Sequence, residues 1–473
     1  MTREGTGPSR RRAIAALAGA ALTGGAVTWP LDSEDQAPVA PGTDAPSLWT
    51  ADVESADEEF FGPVTPGGLL LVEQPLTVRG QARALSCLNV VTGNRLWSVP
   101  LEPSLGTLRT VLAAGSTVLV RTEEALQALD LRTGRPAWRR ARRTPDGSSA
   151  TVRTGAGLVI DSGEDRTEAE FNPPYTTLAY ETGGGRLRWT TEVQPAVRTQ
   201  MASVHAAGLL LGAATTGFSP ARNRGSGGSL PFSYALDAAT GRQRWWRLLS
   251  KDEEVTEMTL AHAQGTVLAS LDGRRLIAQD AATGTIRWSS RFGSGATNDP
   301  GRVTSRTPVG ADVPVAAGDV VQLCGADGVL RAFDMRDGRQ QWEFPLGEGP
   351  SAMGAVPARP RPIVGNGLVY VTTVGTAATD HQSTMLVLGA ADGRPRWSRP
   401  ASRSLRGPVM VRGSLFLPDG DSVTAYDPLD GTVRLRLDLN ALGLDGRRIE
   451  LTTDGVRLYV LARNQVLALS LAA

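Results

Sequence analysis

One pattern recurs along the whole chain, clearest in Ala128-Leu129-Asp130-Leu131-Arg132-Thr133-Gly134-Arg135-Pro136-Ala137-Trp138. A short hydrophobic strand runs into Asp, then Thr-Gly, then a second strand whose Trp stands four residues beyond the Gly. The frame returns at Asn89…Gly93…Trp97, Glu181…Gly185…Trp189 and Asp237…Gly241…Trp245. It returns again at Asp280…Gly284…Trp288, Asp334…Gly338…Trp342 and Gly389…Gly393…Trp397. A degraded copy is Asp427…Gly431, with Leu435 in the Trp place. Seven of the ten tryptophans therefore share one register, which chance does not produce. The chain reads as a repeat protein.

Each copy has a physical reading. A tight connection between twisted antiparallel strands needs a positive φ, which Gly adopts without a Cβ penalty. The Asp four residues earlier can accept hydrogen bonds from the turn's N–H groups, with Thr assisting. The Trp presents a large apolar face and one N–H donor. One hairpin cannot bury such a face alone, so the neighbouring copy must cover it. Successive motif glycines lie roughly 40–55 residues apart, the range for radially stacked four-stranded blades. The fold expected is an all-β propeller of four-stranded antiparallel blades, with Trp97, Trp138, Trp189, Trp245, Trp288, Trp342 and Trp397 docking each blade on the next.

Length alone, at 473 residues, suggests about three domains, but a repeat from about residue 47 to the end favours one. Charge is balanced, 49 basic against 48 acidic residues, so no global field draws nucleic acid or a membrane surface. The one tight basic run, Arg139, Arg140, Arg142 and Arg143, falls where one blade hands over to the next and reads as a solvated loop. Cys87 and Cys324 lie on strands of well-separated repeats, too far apart to bridge, and read as buried thiols.

Residues 1–30 read as a targeting segment outside the fold. Ser9-Arg10-Arg11-Arg12 precedes a mildly apolar run from Ala13 to Val27, the pattern of a twin-arginine export signal built on Arg10 and Arg11. No cysteine follows this run, so lipoprotein attachment is not expected. No clean small-x-small cleavage site follows either, which leaves an uncleaved N-terminal segment as the one expected membrane contact. Residues 31–46, with Pro38, Pro41 and Pro46, read as a flexible linker to a propeller over 47–473.

The two ends of the repeat region complement each other. Ser47-Leu48-Trp49-Thr50 resembles an outermost strand without a preceding partner, and the chain stops before its last outermost strand. Residues 47–53 are expected to pair with 465–471 and close the ring, with Trp49 filling the last Trp position. Eight hairpins plus this closure make nine sheets, whereas eight blades is the commoner count for this repeat type. Eight or nine blades are therefore expected. In an up-and-down blade the motif turn, between the third and fourth strands, shares a face with the first turn. Long insertions at 161–174, 213–231 and 375–383 join second to third strands, and those at 291–308 and 345–362 join blades. All therefore open on the opposite face, where binding is expected.

The frame Ala-Leu-Asp-x-x-Thr-Gly-x-x-x-Trp resembles the repeat of the pyrroloquinoline-quinone (PQQ) propeller family, over nearly all of 47–471. That family includes quinoprotein alcohol dehydrogenases and a non-enzymatic lipoprotein of the bacterial outer-membrane assembly machinery. The resemblance implies a scaffold rather than an activity. Its dehydrogenases carry an adjacent Cys-Cys pair over the quinone, an Asp base and a Glu/Asn/Asp set for Ca²⁺. This sequence has no Cys-Cys, and Asp419-Gly420-Asp421 and Asn298-Asp299 are too sparse for the six to eight oxygens that Ca²⁺ takes. No haem-attachment motif is present. His205, His262 and His381 are the only histidines, without metal spacing, and His205 and His262 sit beside strand starts in similar repeat positions.

The resulting expectation is an exported, extracytoplasmic bacterial propeller, monomeric and without catalytic or metal residues, binding a protein or cell-envelope component through its long-loop face. Phe218, Arg222 and Arg224 in the longest insertion, with His381 in another, are its candidate contacts, because Arg and aromatic residues carry much interface energy. The alternative is a PQQ- and Ca²⁺-dependent dehydrogenase, or a sensor of a quinone or another small ligand.

Overall fold

The computed structural model shows nine four-stranded antiparallel sheets set in a ring. It describes residues 47–470 apart from several connections, chiefly 74–83, 142–150, 165–174, 217–229, 293–312, 347–361, 374–382 and 402–407. The signal-like segment 1–30, the linker 31–46 and Arg10 and Arg11 therefore lie outside the described residues.

Blade 2 illustrates the unit: Leu108–Ala114 innermost, then Thr117–Thr122, Ala125–Asp130 and, outermost, Pro136–Ala141. Blades 1 and 3–8 follow the same order over 56–100, 151–192, 197–248, 258–291, 315–345, 363–401 and 409–438. The second strands are buried on both faces, as in Thr117–Thr122, because a blade lies on each side. Most outermost strands bury only one position, the Trp, as in Pro136–Ala141. The hydrophobic core is therefore not one mass but a set of clusters between successive blades.

Blade 9 is composite. Ile449–Thr453, Arg457–Ala462 and Gln465–Ser470 form its inner three strands, and Ser47–Asp52 supplies the outermost. Thr50 pairs with Leu467 and Asp52 with Gln465, within one residue of the expected pairing. Of the two expected counts, the structure has nine.

The Trp joint is the same at every interface that has one. Trp138 Nε1 donates to the Thr182 carbonyl in the next blade's motif turn at 2.8 Å, and Trp288 to the Met335 carbonyl at 2.8 Å. Trp97, Trp189, Trp245, Trp342 and Trp397 bond Leu131, Ala238, Ala281, Ala390 and Pro428 in the same way. Trp49 does so across the closure, to Val90 at 3.2 Å. Each motif glycine is doubly required. Gly284 has φ of 71° and also seats the Trp245 ring, since a Cβ there would fall 2.5 Å from it. The motif Asp caps the turn as expected: Asp130 accepts from the Thr133 amide at 2.8 Å and its hydroxyl at 2.7 Å. One element of the joint was not read from the sequence. The Arg before the Trp reaches back to the motif acid, as Arg287 does to Asp280 at 2.7 Å and Arg188 to Glu181 at 3.1 Å.

Leu435 now has a reason. Each Trp docks on the turn between the third and fourth strands of the following blade. In blade 9 those strands are Gln465–Ser470 and Ser47–Asp52, from opposite ends of the fold, so no such turn exists. An indole on blade 8 would have neither a glycine seat nor a turn carbonyl. Leu435 instead packs against the apolar cluster that includes Leu437, Leu458, Val460 and Leu467.

Candidate interaction face

Antiparallel alternation settles which connections share a face. First strands run away from the face where blades are joined, second strands return to it, and third strands leave it again. The connections after Glu164, Thr216 and Thr373 join second to third strands, and those after Arg291 and Pro345 join blades. These five connections, like the others that join second to third strands or blade to blade, therefore open on one face, opposite the motif turns. Two begin later than the sequence suggested: Asp161 lies within the strand Leu158–Glu164, and Ala213 within Leu209–Thr216. Phe218, Arg222, Arg224 and His381 lie in these connections, outside the described residues. The root of the connection that holds Phe218, Arg222 and Arg224 is pinned by the Thr216 amide, which donates to the Leu230 carbonyl at 2.9 Å.

Beneath this face the apolar interfaces between blades are interrupted by buried charge. Arg121, near the end of the second strand of blade 2, meets Asp161 of blade 3 at 3.8 Å, with side chains 6% and 3% exposed. At the site of Asp161 the following blades have Gly212, Ala269, Leu323, Val371 and Leu417. Arg153, on the innermost strand of blade 3, donates through Nε to the Ser203 carbonyl of blade 4 at 2.9 Å. Burial, with Arg121 nearby, lowers its pKa. Between blades 5 and 6, Arg331 holds Asp327 with two hydrogen bonds of 2.8 and 2.7 Å and lies 5.2 Å from the centre of the Phe292 ring. Ser233 donates to Gln279 of the next blade at 2.8 Å. Arg121 with Asp161, Arg153 with Ser203 and Ser233 with Gln279 thus tie neighbouring blades together. The charged letters in Thr117–Thr122 and Leu158–Glu164 were the only sequence signal for them, and neither can be paired without knowing which blades touch.

The remaining chemistry is structural. His205 and His262 are the penultimate residues of innermost strands, not the starts of strands. His205 lies over Gly155 of blade 3, where a Cβ would fall 2.2 Å from its ring. Burial lowers the pKa of both histidines. Cys87 and Cys324 are free and buried in blades 1 and 6, and burial pushes the Cys87 thiol up to about 12. Of the basic run, Arg139 and Arg140 belong to the outermost strand of blade 2, where Arg140 donates to the Gly185 carbonyl at 2.9 Å. Among the described residues no three His, Cys, Asp or Glu side chains converge into a metal-binding group.

A search of curated proteins finds no match. Among solved structures, a quinohemoprotein alcohol dehydrogenase from Comamonas testosteroni is similar at 15% identity and a TM-score of 0.50, covering 90% of this chain and 76% of that one. BamB from Moraxella catarrhalis is similar at 15% identity and a TM-score of 0.47, covering 78% and 95%. A europium-containing methanol dehydrogenase is similar at 14% identity and a TM-score of 0.48, covering 88% and 84%. At such identity the likeness is one of fold. The family model described as outer membrane protein assembly factor BamB matches residues 22–212, 234–376 and 351–473, the greater part of the sequence. With its repeated Trp joints and its ring of four-stranded blades, the chain belongs to this family of PQQ-like β-propellers.

Proposed function

We propose that this protein is an exported, non-enzymatic propeller that captures a protein or cell-envelope partner through the face bearing the long connections. The observation that carries the reading is the confinement of the long connections to one face of a scaffold of the BamB family. Connections on such a face vary without disturbing the Trp joints, which lie on the other side, so recognition can be elaborated there at little cost to folding. The family name, outer membrane protein assembly factor, is consistent with a partner in the cell envelope. Phe218, Arg222 and Arg224 supply an aromatic and two guanidinium groups for the contact, and His381 stands in a neighbouring connection. Arg10 and Arg11 direct export, and the protein acts as a monomer, since the ring closes on itself and leaves only short outermost edges on its blades.

The test is capture from cell envelopes by the tagged protein, comparing the native chain with Arg222→Glu and with a deletion of 218–228. Loss of the same partner in both variants, at unchanged Tm, is the expected result; unchanged capture would remove this face from consideration. A parallel titration with PQQ and Ca²⁺, followed by thermal stability and dye-linked alcohol oxidation, decides the enzyme alternative. Saturable stabilisation with turnover would establish a dehydrogenase, and stabilisation without turnover a quinone sensor.

A further inference from the structure

The face carrying the motif turns has its own asymmetry. The second residue after the motif acid is Arg132, Gly183, Ala239, Ala282, Arg336 or Ala391 in blades 2–7, all small or charged. In blades 1 and 8, which flank the composite blade 9, it is Val91 and Leu429, 58% and 63% exposed. Four more exposed aliphatics stand at the same end of the same three blades. Leu96 and Val433 begin the outermost strands of blades 1 and 8, Leu48 that of blade 9, and Val456 lies in the first turn of blade 9. Three of nine blades thus hold, on this one face, six of the ten large apolar side chains that are exposed among the described residues. Val91, Leu48 and Val456 surround one joint. Trp49 donates to the Val90 carbonyl, and Tyr459, whose hydroxyl lies 3.5 Å from that carbonyl, donates to Asp454 at the Val456 turn at 2.9 Å.

The chain itself enters the ring at this place. Ser47 pairs with Leu469 and Asp52 with Gln465, so the strand Ser47–Asp52 starts at the motif-turn face and runs away from it. Ser47 therefore stands at the motif-turn face of blade 9, between blades 1 and 8, where blade 9 has no motif turn. Residues 1–46 contain the apolar run from Ala13 to Val27, with Ile14, Leu17 and Leu22, and then Trp29.

We propose that this apolar run folds back onto the seam and covers its six aliphatic side chains. Residues 28–46 span at most roughly 60 Å when extended, ample for a return to the point of entry. Tethering makes the contact intramolecular, at an effective concentration on the order of millimolar. The seam is then a resting place for the N-terminal segment, separate from the long-connection face and independent of what that face binds.

The test uses the full chain, 1–473, with its intact N-terminus confirmed by mass. A benzophenone amino acid replaces Val91 in one sample, Leu429 in a second and Leu187, an exposed leucine of blade 3, in a third. After irradiation, cross-links from 91 and 429 into residues 13–31, and none from 187, are expected. Leu17→Asp with Leu22→Asp, both outside the propeller, should lower that yield roughly tenfold, as expected when two leucines lose apolar burial. Absence of cross-links to 13–31 would overturn the proposal. So would cross-links that join isotopically distinct copies, or that reach only lipid when phosphatidylethanolamine–phosphatidylglycerol vesicles are present.

Discussion

Eight interfaces between blades are joined by a tryptophan, and the ninth, between blades 8 and 9, by Leu435. At the eight, an indole lies on a glycine of the next blade and donates to a turn carbonyl beside it, as Trp245 does over Gly284 to Ala281. At the ninth the turn is missing because its two strands come from opposite ends of the fold, and the interface is filled by aliphatic packing around Leu451, Leu458 and Leu467. The Trp is thus one half of a pair, retained only where the other half exists. The weak copy in the repeat marks where the ring closes rather than decay of the motif.

The comparison can be broken from either side. The largest effect is expected from Trp288→Ala, which removes a buried indole and leaves the Met335 carbonyl and the Gly338 seat empty. It should cost about 3–5 kcal/mol, read as a fall in the denaturant midpoint. Leu435→Ala, at a half-buried site, should cost less than half of that, and Leu435→Trp should bring no gain. A stabilising Leu435→Trp would show that the glycine turn is not required.

Next in size is the buried charge between blades 2 and 3. Asp161→Leu alone removes the carboxylate beside the buried Arg121 guanidinium and should cost about 3–5 kcal/mol, while Arg121→Met together with Asp161→Leu should cost less. Equal losses in the single and double variants would mean that packing, not charge, governs this interface.

A smaller effect belongs to the histidines. Burial lowers the pKa of His205 and His262 below the ordinary 6.5, so the unfolded chain takes up protons first as pH falls. Their neutral packing is fully stabilising above about pH 6.5, and the stability is lost as pH drops from there through the folded pKa values. The Tm of the native protein should fall over that window, and His205→Gln with His262→Gln should flatten the fall. An unchanged slope would mean that other groups carry it.

The smallest effect is at the motif turns. The Arg244 and Thr240 side chains hold the Asp237 pKa at about 2. Its stabilisation is present above the unfolded value near 3.8 and is lost as pH falls toward about 2. NMR titration of the Asp237 carboxyl should show that midpoint, and one near 3.8 would mean that the turn does not engage the carboxylate in solution.

Much of this molecule was legible in its sequence because a repeat multiplies weak local signals. The register of Asp, Gly and Trp specifies hairpin, turn and docking surface together, and the matched deficits at the two ends disclose the closure through Trp49. Loop parity followed from antiparallel alternation alone. Tertiary structure decided what depends on a partner distant in sequence. The second duty of each glycine comes from an indole of the preceding blade, and the absence of Trp at 435 comes from the missing turn of the following one. The Arg121–Asp161 pair and the buried settings of His205 and His262 likewise exist only once particular blades touch. The pattern within a strand is set by short-range sterics and hydrogen bonding, which the sequence carries locally; the partner across an interface is set by the closure of the ring, which no local stretch encodes.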